Sequence, residues 1–150
     1  MQIKYVSKFI HLPFHVKRML LEAGVYSAYY RYKILHQPFY KIAPGIGKLQ
    51  YETACEKVDS DTVAEVKWAV AAVCLRTPWE SKCLVRALTA KRMLNRRGLL
   101  CTLYMGVQQA QGEEMTAHAW LRCGSVFVTG GNGAKAYAVT AIFGDERFPI

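Results

Sequence analysis

The chain has 150 residues, 52% of them hydrophobic and 21% charged, which is length and apolar content enough for one folded domain with a sizeable core. This excludes a disordered chain, and no apolar run approaches the roughly 18 residues of a membrane span. Lys and Arg outnumber Asp and Glu by 20 to 11, a formal net charge of +9, so the surface suits acidic partners: nucleic acid, anionic lipid, or an acidic peptide or protein.

The opening stretch, "MQIKYVSKFIHLPFHVKRML", carries basic residues throughout and lacks an apolar segment followed by a small-residue cleavage site. A cytoplasmic protein with no transmembrane segment is expected. Pro13 suits the first turn of a helix, and "FHVKRMLLEAGVYSAYYRYKIL" continues it until Pro38. The two prolines and two glycines of "PFYKIAPGIGK" predict a turn-rich connection with a short helical piece. Asp59 or Ser60 can cap a second long helix, on which Val63, Val66, Val70 and Val73 recur at helical spacing to about Arg76. A third helix is expected from near Ser81 to about Arg97, closed by Gly98. Its basic stretch "KRMLNRR" (91–97) reads as a solvated outer face.

Strand patterns follow. "LLCTLYMGV" (99–107) alternates Leu103, Met105 and Val107, and "QQAQGEEM" is a polar loop. "TAHAWLRC" (116–123) puts His118, Trp120 and Arg122 on one face, a "GS" turn follows, and "VFVT" (126–129) returns antiparallel. "GGNG" is another turn, and the tail from Ala134 fits one more strand. Helices first and an antiparallel sheet second make an α+β chain, with a helical region over 1–75 and a core over 76–150 forming one compact unit.

The five cysteines are Cys55, Cys74, Cys83, Cys101 and Cys123. An odd number with no C-x-x-C pair argues against a disulfide framework or a zinc ribbon, and His118 with Cys123 lacks the spacing of a metal site. Neither metal nor cofactor is expected. Cys55, Cys74 and Cys101 read as small core hydrophobes. Cys83, in "RTPWESKCLVRAL", is different. It shares an inward helical face with Ala87, Ala90 and Leu94 and sits in the first turn, where free N–H groups and the positive helix end favour a thiolate. The same N–H groups can bind an oxyanion formed beside the sulfur.

A nucleophile also needs a proton acceptor within reach. His11, His15 and His36 lie in the helical first half, whereas His118 lies on a strand between Ala117 and Ala119. If that strand packs on the helix bearing Cys83, thiol and imidazole can meet. The competing reading is a buried thiol and a satisfied strand histidine. Trp79 and Trp120 are either core aromatics or a substrate-binding wall that keeps water from the thiolate.

"PWESKCLVRALTAKRMLNRRG" followed by "AHAWLRCGSVFV" resembles the transglutaminase-like leader peptidases of lasso-peptide biosynthesis, whose cysteine stands in a "CL-x-RAL" helix and whose histidine stands in "HAW". The likeness runs from about Leu20 to Thr129. It implies a papain/transglutaminase-like cysteine protease that removes the leader from a ribosomally made precursor peptide, with Cys83 as nucleophile and His118 as general base. It also implies partners: a separate leader-recognition protein, because the helical first half does not read as a fused recognition domain, and an ATP-dependent lasso cyclase that takes the freed core. The family's orienting aspartate would fall at Thr129 by the hairpin count, in "VTGGNG", which offers no acid. Thr129, a nearby backbone carbonyl or Asn132 could orient the imidazole instead, or Asp145 or Glu146 could fold back to it. Two other functions fit less of the sequence. One is acyl transfer by a transglutaminase or amidase. The other is a non-enzymatic basic adaptor, which lacks the aromatic-basic sheet motif or helix-turn-helix of a nucleic-acid binder.

Overall fold

The structure, a computed structural model, describes residues 3–147, with side chains from residue 7 onward. Helix α1 (Ile3–Ile10) leads into α2 (Phe14–His36), which starts after Pro13 and ends where Gln37, held extended by the following Pro38, leaves the helical region. The expected short helical piece is α3 (Phe39–Ile42), continued by a 3-10 turn at Ala43–Gly45 and a two-residue strand β1 (Lys48–Leu49). Helix α4 (Ser60–Cys74) begins at Asp59, whose carboxylate accepts the Asp61 N–H at 3.2 Å and the Thr62 hydroxyl at 2.6 Å. Val63, Val66 and Val70 are buried, as their spacing requires. Helix α5 (Cys83–Arg96) closes with Gly98 at φ +75°, where the Gly98 N–H reaches Asn95 O at 3.0 Å.

Four further strands follow: β2 (Cys101–Gln108), β3 (Thr116–Cys123), β4 (Val126–Thr129) and β5 (Ala138–Gly144). They form one antiparallel sheet with β1, ordered β1-β5-β2-β3-β4. The tail therefore supplies a strand, and it inserts between β1 and β2 rather than extending the hairpin series. Alternation along β3 gives Ala119, Leu121 and Cys123 to the core and His118, Trp120 and Arg122 to the other side. The core joins Ala23 of α2, Val66 and Val70 of α4, and Leu88 and Leu94 of α5 to Leu103, Leu121 and Phe143 of the sheet. The protein is thus mixed α+β, with helices preceding an antiparallel sheet. Among the described residues no helix is long and apolar enough to cross a membrane.

Two expectations need correction. Lys91 does not lie on a solvated face. Its side chain is 4% exposed and is ion-paired with Asp145, whose other oxygen accepts the Asn95 amide at 2.6 Å and the Cys101 N–H at 2.8 Å. Only a partner distant in sequence makes such a burial tolerable. Cys55 is exposed, because it lies in the extended segment between β1 and α4, while Cys74 and Cys101 are buried.

Candidate active site

Helix α5 opens on Cys83 itself, with Lys82 as its N-cap residue and no side chain capping its first N–H groups. Those donors are the raw material of an oxyanion site. Cys83 is half-buried and packs on the edge of the core, whereas Cys101 and Cys123 are fully buried opposite one another across β2 and β3. The loop that delivers Cys83 is tied down at several points. The Trp79 indole N–H donates to Ser27 Oγ of α2 at 3.2 Å, Glu80 pairs with both Arg31 and Lys82, and Arg86 Nε donates to Ser81 O at 2.8 Å. Trp79 thus spends its polar edge as an anchor and leaves its half-buried ring beside the loop that leads to the cysteine.

His118 stands on β3, a strand that packs on α5, and pairs with Gly106 of β2. Its imidazole lies 5.8 Å from the ring of Trp120 and 5.0 Å from that of Tyr137. Trp120, 5% exposed, stacks in turn on Tyr104 with centroids 5.7 Å apart. Gly106 makes this aromatic column possible, since a Cβ there would come within 3.0 Å of both Trp120 and Tyr137.

His118 Nε2 lies 2.8 Å from the carbonyl oxygen of Gly130. A carbonyl only accepts, so this contact puts the proton on Nε2 and leaves Nδ1 with its lone pair. The backbone that presents the carbonyl requires glycine. Gly130 has φ +67°, and a Cβ there would sit 2.6 Å from Ala119 O and 3.1 Å from His118 Nε2. Thr129 pairs with Leu121 across the β3–β4 ladder, and its buried Oγ1 makes no hydrogen bond among the described residues. Of the neutral acceptors available, the ring meets the Gly130 carbonyl.

The two late acids are engaged elsewhere. Asp145 lies beside Cys101, five residues along β2 from Gly106, or about 17 Å at the usual strand rise. Glu146 is ion-paired with Lys48. Among the described residues no three His, Cys, Asp or Glu side chains converge as a metal site. The structure records no hydrogen bond between Cys83 and His118. The sulfur lies at an uncapped helix start and packs on the core side of β3, whereas the imidazole, held through Nε2, projects from the other side of that strand, so no contact joins the two among the described residues. Tyr137, Gly106 and Gly130 were not foreseen as site residues. The signal that could have flagged the glycines is their position beside and opposite "HAW", where a side chain would collide.

A family model for the transglutaminase-like superfamily matches residues 30–142, which takes in α4, α5 and four of the five strands complete, with all but the last two residues of β5. Searches of curated proteins and of solved structures return no match for the chain. With the family model covering three quarters of its residues, the chain belongs to the transglutaminase-like superfamily.

Proposed function

We propose that this protein is a cysteine peptidase that removes the leader from a ribosomally synthesised lasso-peptide precursor, with Cys83 as nucleophile and His118 as general base. Two observations support the reading: a half-buried thiol at an uncapped helix start, and, on a strand that packs against that helix, a histidine whose Nε2 is held by Gly130 O. Nδ1 takes the thiol proton, and the sulfur attacks the carbonyl carbon of the scissile bond. The α5 N–H groups stabilise the oxyanion. Collapse of the adduct expels the amine of the core peptide, which receives the proton from the imidazolium. A thioester to the leader remains, and water activated by His118 hydrolyses it to a free carboxylate and restores the thiol. A hydrogen bond between nucleophile and base that is missing in the free enzyme forms in many enzymes only when substrate is bound.

The orienting group in this mechanism is neutral. The Gly130 carbonyl fixes the tautomer but gives the imidazolium less support than a carboxylate would. Trp79 and Trp120 border the reaction, the former on the loop before Cys83 and the latter beside the imidazole. The same acyl-enzyme could pass its acyl group to an amine instead of water, as a transglutaminase does. Incubation of the purified protein with a precursor peptide tests the choice: mass spectrometry should find a leader fragment ending in a free carboxylate. A new amide, or no product at all, would overturn the peptidase reading. A separate leader-recognition protein and an ATP-dependent cyclase complete the proposed cytoplasmic system. The recognition protein should accelerate cleavage by raising the effective concentration of the scissile bond.

A further inference from the structure

Helix α2 is apolar on two sides, and the fold uses only one. Ala23 and Ser27 are buried, and Tyr30 and Ile34 pack on the core. On the other side Phe14, Leu21, Val25 and Tyr32 are 81%, 60%, 66% and 61% exposed. Their spacings of seven, four and seven residues keep them on one stripe, about 27 Å long at the α-helical rise. Monomeric proteins seldom leave so extended an apolar surface uncovered, and residues spaced this way suit a second helix lying alongside.

Next to the stripe is a cavity of about 340 Å³ walled by Tyr26, Tyr29 and Tyr30, with Ile42 and Ile46 in its lining. Two cations border it. Lys33 Nζ lies 5.0 Å over the Tyr29 ring, and the Arg92 guanidinium lies 6.0 Å over the Tyr26 ring. No carboxylate lines the cavity among the described residues. The acid of α2, Glu22, is held by Arg97 at 2.8 Å and by Arg96 at 3.5 Å. Glu80, the acid of the loop before α5, is held by Arg31 and Lys82. The surface is thus apolar and cationic, with its own acids consumed elsewhere. A second copy of this chain would bring Lys33, Arg92 and a net charge of +9 against their like, which repels.

We infer that the outer face of α2 docks an amphipathic, acidic helix of a partner protein. The partner's apolar side covers Leu21, Val25 and Tyr32, and one of its carboxylates enters the tyrosine cavity between Lys33 and Arg92. The inference does not rest on the peptidase reading, because the stripe lies on the side of α2 turned away from α5.

The test uses the full chain and a synthetic helical peptide of about 20 residues, with leucines at helical spacing and flanking glutamates, labelled for fluorescence anisotropy. A sibling peptide carries lysines in place of the glutamates. The glutamate peptide should bind at least about tenfold more tightly than the lysine peptide and should weaken as salt is raised. Val25→Asp, and separately the pair Lys33→Glu with Arg92→Glu, should each weaken binding by about tenfold or more while leaving thermal unfolding in place. Because Val25, Lys33 and Arg92 lie outside the catalytic groups, precursor cleavage by these variants should match the parent, so failure here is separable from failure of the peptidase reading. Absent binding, equal binding of the lysine peptide, unweakened binding by both variants, or a dimer in sedimentation that Val25→Asp abolishes would each overturn the inference.

Discussion

The two ends of the α5–β3 pair are built on opposite terms. At the far end the buried polar side chains all have partners among the described residues. Asp145 receives Lys91, Asn95 and the Cys101 N–H, while the Thr53 hydroxyl donates to Cys101 O or Asp145 O, each 3.0 Å away, and the Thr53 N–H reaches Thr102 Oγ1 at 2.9 Å. The adjacent Cys123 thiol, and then burial, push the Cys101 thiol far above its usual range, so it stays protonated and inert. At the near end the loop before Cys83 is anchored, but several groups around it and His118 lack partners. The first N–H groups of α5 have no side-chain cap, Thr129 Oγ1 has no hydrogen bond among the described residues, and His118 has one. The saturated end ties helix to sheet, and the unsaturated end leaves the helix N–H groups without a side-chain cap and the His118 Nδ1 without a partner among the described residues, as the proposed chemistry requires. Cysteine type alone does not separate the two; hydrogen-bond satisfaction does.

Substitutions at each end should fail in different ways. Second only to loss of the nucleophile is His118→Ala, which should lower precursor turnover by roughly two to four powers of ten with little change in urea midpoint. A rate near the parent's at neutral pH would remove His118 as the base. At the other end, Asp145→Asn leaves Lys91 buried without its counter-charge and should cost about 3–5 kcal/mol of stability in urea unfolding. Turnover per folded molecule should be unchanged, and a specific loss of turnover instead would mean that Asp145 serves the imidazole after all.

Thr129→Val exchanges an unpaired buried hydroxyl for a methyl. Stability should hold or rise by about 1 kcal/mol and turnover should stay within about twofold. A large fall in turnover would give the orienting role to the Thr129 hydroxyl rather than to the Gly130 carbonyl. The smallest effect is away from both ends. Hydrogen bonds from the Thr62 hydroxyl and the Asp61 N–H hold the Asp59 carboxyl below its usual range. Its contribution is therefore present above the unfolded carboxyl value, about 3.9, and is lost as pH falls through the lower folded one. Asp59→Asn should flatten the acid limb of stability against pH slightly, and an unchanged limb would deny the cap its electrostatic part.

The sequence made the helices legible because their signals are local. Asp59, Gly98 and the valine spacing of α4 act within a turn or two of the residues they organise. Cys83 and His118 stood out for the same reason, one by its helix start and the other by its strand. What stayed hidden depends on distant partners. Lys91 reads as a surface lysine until Asp145, 54 positions later, is brought beside it. The strand in the tail was legible, but its place between β1 and β2 was not, because that pairing joins segments far apart in the chain. The Gly130 carbonyl carries no residue signature, since every residue has one. Its trace in the sequence is the glycine needed to bring backbone against the ring.

The nucleophile can be tested most directly by Cys83→Ala, assayed for precursor cleavage beside the parent, with unfolding followed on both. Exchanging a thiol for a methyl at a half-buried helix start removes little volume, so the variant should fold as the parent does. Leader release should fall below detection. Cleavage by the folded variant at a rate near the parent's would show that Cys83 does not form the acyl-enzyme and would contradict the account.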